Sequence, residues 1–190
     1  MYLGVFVWAD QLLARYLEGR SLEIVLEHSR LVACLALDVC THVGLSGPDR
    51  IFIEEAALLH DIGVCRVNAP ELGLHGAHPY IVHGVLGRAI LEKEGYPLHA
   101  LVCERHTGVG LTVSDILKQN LPLPPRDMCP VSLPEQIICY ADLFYSKNPA
   151  KISQKKSPEQ VRKKLLAFGE DKVRIFDDWS RSFSKLRQEP

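Results

Sequence analysis

Apolar residues recur at intervals of three and four in nearly every segment of the chain, and strand-like alternation is hard to find. Glycine and proline clusters interrupt the pattern and divide it into helix-length pieces. Ser21 is placed to cap a long helix reaching about Val43, with Ile24, Val25, Leu31, Val32, Leu35 and Val39 on one stripe. A second helix runs from about Asp49 through Leu59 and closes near Gly63, in the position of a C-terminal cap. Residues 64–77 read as a loop. Pro79 suits the first position of the next helix, which ends at Gly95 and Pro97. Short helices follow over about 98–105 and 113–120. "LPLPPRDMCP" is an extended connector, and Ser132 with Glu135 forms a capping box that opens a helix to about Ser146. Ser157 and Gln160 repeat that signal in the tail, which holds two further helices. The expected fold class is all-α.

A chain of 190 residues can bury a substantial core in one domain. A formal net charge of −1 gives no long-range attraction to nucleic acid or to an anionic membrane. The basic run "KKSPEQVRKK" lacks interleaved aromatics and reads as a solvated helix start, so nucleic acid is not an expected partner. The opening stretch lacks a basic n-region and meets Asp10 too early for a membrane span. Six cysteines (34, 40, 65, 103, 129, 139) form no CxxC pair, which fits small apolar core residues in a reducing cytoplasm.

Against this pattern, several ionisable groups sit where apolar residues belong. His28 lies in the stripe of the long helix, and the pair His60–Asp61 ends the next apolar run, "ALLHDIGVC". His83 borders the apolar face of its helix, His106 ends a short helix, and Asp142 follows Ile138 by four. A single inward histidine is ordinarily a satisfied core residue. Four histidines with two carboxylates are harder to dismiss, because a buried charge needs a partner. A divalent metal centre supplies it. Six ligands exceed the three or four that one zinc ion takes, and two ions bridged by Asp61 would use them all.

In this order and on these helices, His28, His60–Asp61 and Asp142 resemble the H…HD…D signature of the HD (His-Asp) superfamily of metal-dependent phosphohydrolases. "HDIG" at 60–63 matches the HDIG sub-family string. "HPYIVHG" and "ERHTGVGL" resemble the extra histidine segments of dinuclear members, and "CYADLFYSK" the helix that bears the last aspartate. The resemblance covers about residues 20–148. It implies an HD-domain helical bundle over 1–148, with a C-terminal helical extension over 149–190 packing on the same domain. It also implies a dinuclear metal-dependent phosphohydrolase that cleaves a phosphoester or phosphoanhydride by a metal-activated hydroxide. The substrate is then a small phosphorylated molecule, most plausibly a nucleotide. His28, His60, Asp61, His83, His106 and Asp142 would hold two divalent ions, with iron or manganese favoured and zinc, nickel or magnesium as alternatives. Asp61 would also orient the nucleophile, and Arg105 and Lys147 are candidates to bind substrate phosphate.

The sequence departs from the cyclic-dinucleotide-degrading branch, because "GVGLT" lacks that branch's Gly-Tyr-Pro ending. Arg105–His106 stands where some members double the histidine. His75 and His78 are candidates for the mouth of the site, and His42 and His99 for surface or packing positions. Three other readings stay open: a mixed-valence di-iron oxygenase with the same ligands, a one-metal nucleotidase using only His28, His60, Asp61 and Asp142, and a non-catalytic sensor. Neither composition nor motif assigns an oligomeric state.

Overall fold

Helices carry the chain. The computed structural model describes residues 5–184, with side chains from Trp8 onward. The first four residues of the opening stretch and the last six of the C-terminal extension lie outside the described residues. In chain order the helices are α1 (Val5–Ala14), α2 (Gly19–His42), α3 (Pro48–Leu59), α4 (His83–Lys93), α5 (Pro97–Arg105), α6 (Val113–Lys118), α7 (Leu133–Leu143), α8 (Pro158–Leu166) and α9 (Glu170–Ser184). Among the described residues, no helix is long and apolar enough to cross a membrane.

The long helix α2 is the spine, and it packs against α3 and α7. Val25, Val32, Ala36 and Cys40 are buried on it at helical spacing, and His28 and Ser29 sit inside the same stripe. Small residues on the facing helices, Ala33 and Ala36 on α2 with Ala56 and Ala57 on α3, are all buried. α4 pairs with α5, and α1 lies on α3. All six cysteines are free thiols, and Cys40, Cys103 and Cys139 are buried in the apolar core.

Several local expectations need correction. Ser21 is inside α2 rather than its cap; Glu18 precedes the helix, and the Ser21 hydroxyl donates to the Glu18 carbonyl at 2.8 Å. The capping box at Ser132 is half formed. Its hydroxyl accepts from the Glu135 amide, but the Glu135 carboxylate accepts from Val131 N instead of Ser132 N. α7 ends at Leu143, three residues early, and Lys156 Nζ donates to the freed carbonyls of Leu143 (3.1 Å) and Tyr145 (2.5 Å). Pro79 precedes a 3₁₀ turn (Tyr80–Val82) rather than α4 itself. The loop after α3 contains 3₁₀ turns and a two-residue hairpin, with Asn68–Ala69 against Leu74–His75. The full capping box expected at Ser157 is present.

α9 docks on α2 and α7. Phe176 is buried with its ring stacked on Tyr140 at 5.6 Å, and Phe183 meets the same ring at 5.1 Å. A second anchor is polar. Lys172 Nζ lies 2.5 Å from Asp115 Oδ2, and that carboxylate also accepts from Thr112 N and Oγ1 at the start of α6. Burial alone would push the Asp115 carboxyl up, but Lys172 and Thr112 outweigh it and hold it below the usual carboxylate range. A depressed folded-state value stabilises above about pH 4 and is lost as pH falls through that value. Acid is therefore expected to loosen the α9 anchor. In Lys172→Met, the decline of denaturation midpoint between pH 5 and pH 3 should be shallower than in the parent; an equal slope would refute this anchor.

Candidate metal centre

Five separate chain segments deliver the six ionisable groups. His28 faces inward from the middle of α2. His60 caps the C-terminus of α3, and Asp61 follows it with φ −105° and ψ 7°, the sparsely allowed bridge region. His83 is the first residue of α4, His106 caps α5, and Asp142 lies in the last turn of α7.

Glycines bring these segments within reach. Gly63, expected as a helix cap, is instead a point of backbone contact. A Cβ there would sit 2.0 Å from His83 O and 2.3 Å from Gly87 N. At Gly84 a Cβ would lie 2.6 Å from Cys103 O. The turn after Asp61 thus presses against the start of α4, and α4 presses against the end of α5. That double approach is what sets His83 and His106 beside Asp61.

Asp61 is fully buried at the centre. Its Oδ2 lies 2.9 Å from His60 Nε2, 3.3 Å from His28 Nε2 and 2.6 Å from Lys147 Nζ. Its other oxygen, Oδ1, lies 3.4 Å from His83 Nε2 and 3.5 Å from His106 Nε2. Asp142 Oδ1 is 2.9 Å from His28 Nε2 and 3.6 Å from His60 Nε2. Despite these distances, both Asp61 oxygens, His60 Nε2 and both nitrogens of His28 have no hydrogen-bond partner. The atoms are close, but their angles do not suit hydrogen bonds. Such orphaned buried groups require an explanation.

The tautomers sharpen the point. The Nδ1 atoms of His60, His83 and His106 donate to the carbonyls of Ala57 (2.6 Å), Tyr80 (2.7 Å) and Cys103 (2.8 Å). A carbonyl only accepts, so each Nδ1 carries a proton, and Nε2 is the nitrogen left to turn a lone pair toward the centre whenever the ring is neutral. The Nε2 atoms of His83 and His106 face each other at 3.0 Å, which places two lone pairs together unless a proton or a cation lies between them. The donor set, imidazole nitrogens with carboxylate oxygens, suits a divalent transition metal. Two groups of three have ligand atoms close enough to hold an ion: His28, His60 and Asp142, and His60, Asp61 and His106.

Charge balances without metal by using protons. Burial works against a charge on His60, but Asp61 and Asp142 outweigh it and push its value up to about 10. Burial, first of all, pushes His83 down to about 3. Burial would raise Asp61 and Asp142, yet neighbouring positive charge holds both well below the usual range, His60 first for Asp61 and Lys147 first for Asp142. Burial opposes the Lys147 ammonium too, and Asp61 more than restores it. A proton on His60 and the ammonium of Lys147 thus offset two carboxylates. A cation entering the cluster would displace such protons.

Lys147 belongs to the cluster, whereas Arg105 does not. The Arg105 guanidinium donates to Glu135 Oε2 at 3.0 Å and braces α5 against the start of α7. Glu135 lies thirty positions away, so its claim on Arg105 had no local signal. His75 and His78, candidates for the mouth, are exposed and outside the cavity lining. His42 is exposed, and His99 packs edge-on to Phe52 while bonding Glu55.

A cavity of about 570 Å³ opens above the cluster. His28, His83, His106 and Asp142 bring the cluster into its lining, together with Tyr80, Leu111 and Leu121. Lys147, Lys164 and Lys172 line it as well, beside the acidic Glu71 and Asp142. The last two lysines gave no sequence signal, because only the docking of α8 and α9 brings them there.

A family profile described as HD domain matches residues 25–146. An uncharacterised protein of Methanocaldococcus jannaschii is 36% identical over 123 residues, 63% of this chain and 65% of that protein. A tRNA (cytidine(56)-2′-O)-methyltransferase of Picrophilus torridus is 34% identical over 99 residues, 52% of this chain and 25% of its own length. The Thermoplasma volcanium protein of the same name is 28% identical over 153 residues, 80% of this chain and 40% of its own. The chain thus spans less than two thirds of each of these curated relatives. Among solved structures, the HD domain of the L. monocytogenes phosphodiesterase PgpH superposes with a TM-score of 0.55, covering 92% of this chain and 94% of that one at 14% identity. The same domain in complex with cyclic-di-AMP gives 0.53, covering 96% and 99%, also at 14% identity. At that identity the likeness is one of fold.

Proposed function

The chain belongs to the HD-domain family, and from that premise we propose that it is a metal-dependent phosphohydrolase of the HDIG type, cleaving a phosphoester or phosphoanhydride of a nucleotide. The observation that carries this reading is the set of buried imidazole and carboxylate atoms without hydrogen-bond partners, gathered at and below the floor of a cavity that three lysines help to line. Asp61 divides the set in two. Its Oδ2 faces His28 and His60, near Asp142, while its Oδ1 faces His83 and His106. This division supports two ion positions sharing one carboxylate, and iron or manganese is the favoured pair. Divalent ions bound there would supply Lewis acidity toward a phosphoryl oxygen and toward water.

The chain's own groups have separable tasks. The three Nδ1–carbonyl bonds fix the rings so that Nε2 points inward. Lys147 balances the charge of Asp61 and borders the cavity, where its ammonium can meet a phosphate oxygen. Asp61 orients the attacking water. Arg105, paired with Glu135, carries no substrate role in this proposal. The names of two kinds of relative support a nucleotide: one structural neighbour was solved with cyclic-di-AMP, and two longer relatives are named for a tRNA modification. The named methyl transfer belongs to proteins of which this chain matches only 25% and 40%. An oxygenase would use the same ligands, but a cavity lined by three lysines favours an anionic substrate.

The test is metal analysis of anaerobically purified protein, followed by phosphate release from a panel of nucleotides and simple phosphate esters. Two ions per chain and nucleotide-dependent phosphate release are expected, and His83→Ala should lower the ion count. A fully loaded protein inert across the panel overturns the phosphohydrolase reading. An unchanged count in His83→Ala overturns the two-ion arrangement.

A further inference from the structure

The family match ends at residue 146, yet the cavity does not. Lys164, Leu165, Phe168 and Lys172, all from the C-terminal extension, help to line it. Lys164 lies in the last turn of α8, and Phe168 follows in the turn just beyond its end; both border the cavity. Phe168 is 55% exposed, an unusual place for a large ring on a surface, although it borders the cavity. Among the described residues, Lys147 and Lys172 each face a carboxylate, while Lys164 is in no such pair.

The extension is tied to the segment that follows His106. Phe168 N donates to Leu165 O at 2.9 Å, and Gly169 N donates to Leu166 O at 3.2 Å, which fixes the turn. Gly169 has φ +137°, and a Cβ there would meet Asp171 Oδ1 at 2.4 Å, so the chain can reverse directly after the ring. Beyond the turn, Lys172 reaches Gly110 O (3.4 Å) and Asp115, in and after the loop that follows His106.

We infer that this extension selects the substrate: Phe168 stacks on the base of a nucleotide, and Lys164 pairs with its phosphate, while the cluster below does the chemistry. The inference rests on the phosphohydrolase reading for the chemistry but not for the binding. A cavity of about 570 Å³ whose lining combines the rings of Tyr80 and Phe168 with Lys147, Lys164 and Lys172 suits a molecule that carries both a flat, apolar part and an anionic one. Stacking a base on an aromatic side chain contributes about 1–3 kcal/mol by alanine substitution, or roughly 5- to 150-fold.

The experiment measures equilibrium binding of adenosine monophosphate, cyclic-di-AMP and inorganic phosphate to the full metal-loaded chain and its variants. For Phe168→Ala, the affinity ratio of adenosine monophosphate to phosphate should fall at least about fivefold. Phe168→Tyr should restore it, and Phe168→Leu should not, because leucine fills space without a π-face. Lys164→Ala should weaken binding of both nucleotides and flatten its salt dependence. Equal ratios in the parent and Phe168→Ala, or full binding by Phe168→Leu, would overturn the inference. So would a parent chain that binds no nucleoside monophosphate, even if it hydrolyses another ester. Ring-dependent nucleotide binding without any phosphate release would instead retain this inference and remove the phosphohydrolase reading.

Discussion

Gly63→Ala is expected to cost the fold about 3 kcal/mol and to empty the ion position nearest His83. The added Cβ would meet two backbone atoms, His83 O at 2.0 Å and Gly87 N at 2.3 Å, where no rotamer change can relieve the clash. α4 must therefore back away by more than an ångström. His83 opens that helix, and its Nε2 is 3.4 Å from Asp61 Oδ1, so the same movement pulls it from the cluster. Gly19→Ala is the control. Its Cβ would meet nothing within 4 Å, so only its φ of +52° opposes substitution, at about 1 kcal/mol. Denaturation midpoints and metal content check both. A Gly63→Ala protein with parental stability and a full ion complement would refute the account of how the site is assembled.

Asp61→Asn should have the largest effect on activity. The change keeps the shape and removes the charge that His28, His60, His83, His106 and Lys147 all surround within 3.5 Å. Loss of the ions is expected, with phosphate release at least about 10³-fold slower, since both Lewis acidity and nucleophile orientation go together. The metal-free protein should also weaken by about 3 kcal/mol, because a largely buried Lys147 loses its nearest carboxylate. Phosphate-release kinetics and urea titration of metal-stripped protein separate the two effects. Retained activity above a hundredth of the parent would remove Asp61 from the mechanism.

What the sequence revealed follows from periodicity. The inward positions of His28 and Asp142 could be read because a helical stripe predicts which side a residue faces without knowledge of its partner helix. The end-of-helix positions of His60 and His106 were visible for a related reason, since an apolar run stops there. Gly63 was misread because a glycine at a helix end has two physical explanations, a left-handed backbone or a close approach, and the second depends on α4. The pairing of Arg105 with Glu135 had no local sign, because Glu135 belongs to another helix. The hairpin of Asn68–Ala69 and Leu74–His75 is too short for alternation to register. α1 passed unnoticed, though its Leu12 and Leu13 are buried. Lys164, Phe168 and Lys172 could be placed only once α8 and α9 had docked, which no local pattern encodes.

The bonds from three histidines to carbonyls three residues earlier reach further than tautomer choice. Each ring is clamped by backbone just ahead of it in the chain, the ends of α3 and α5 for His60 and His106 and the 3₁₀ turn before α4 for His83, so its aim survives when the pocket is stripped. Uptake of ions is then an exchange of protons for cations on a finished frame, not a folding event. Chelator-treated protein should keep its helical content and reload without a lag.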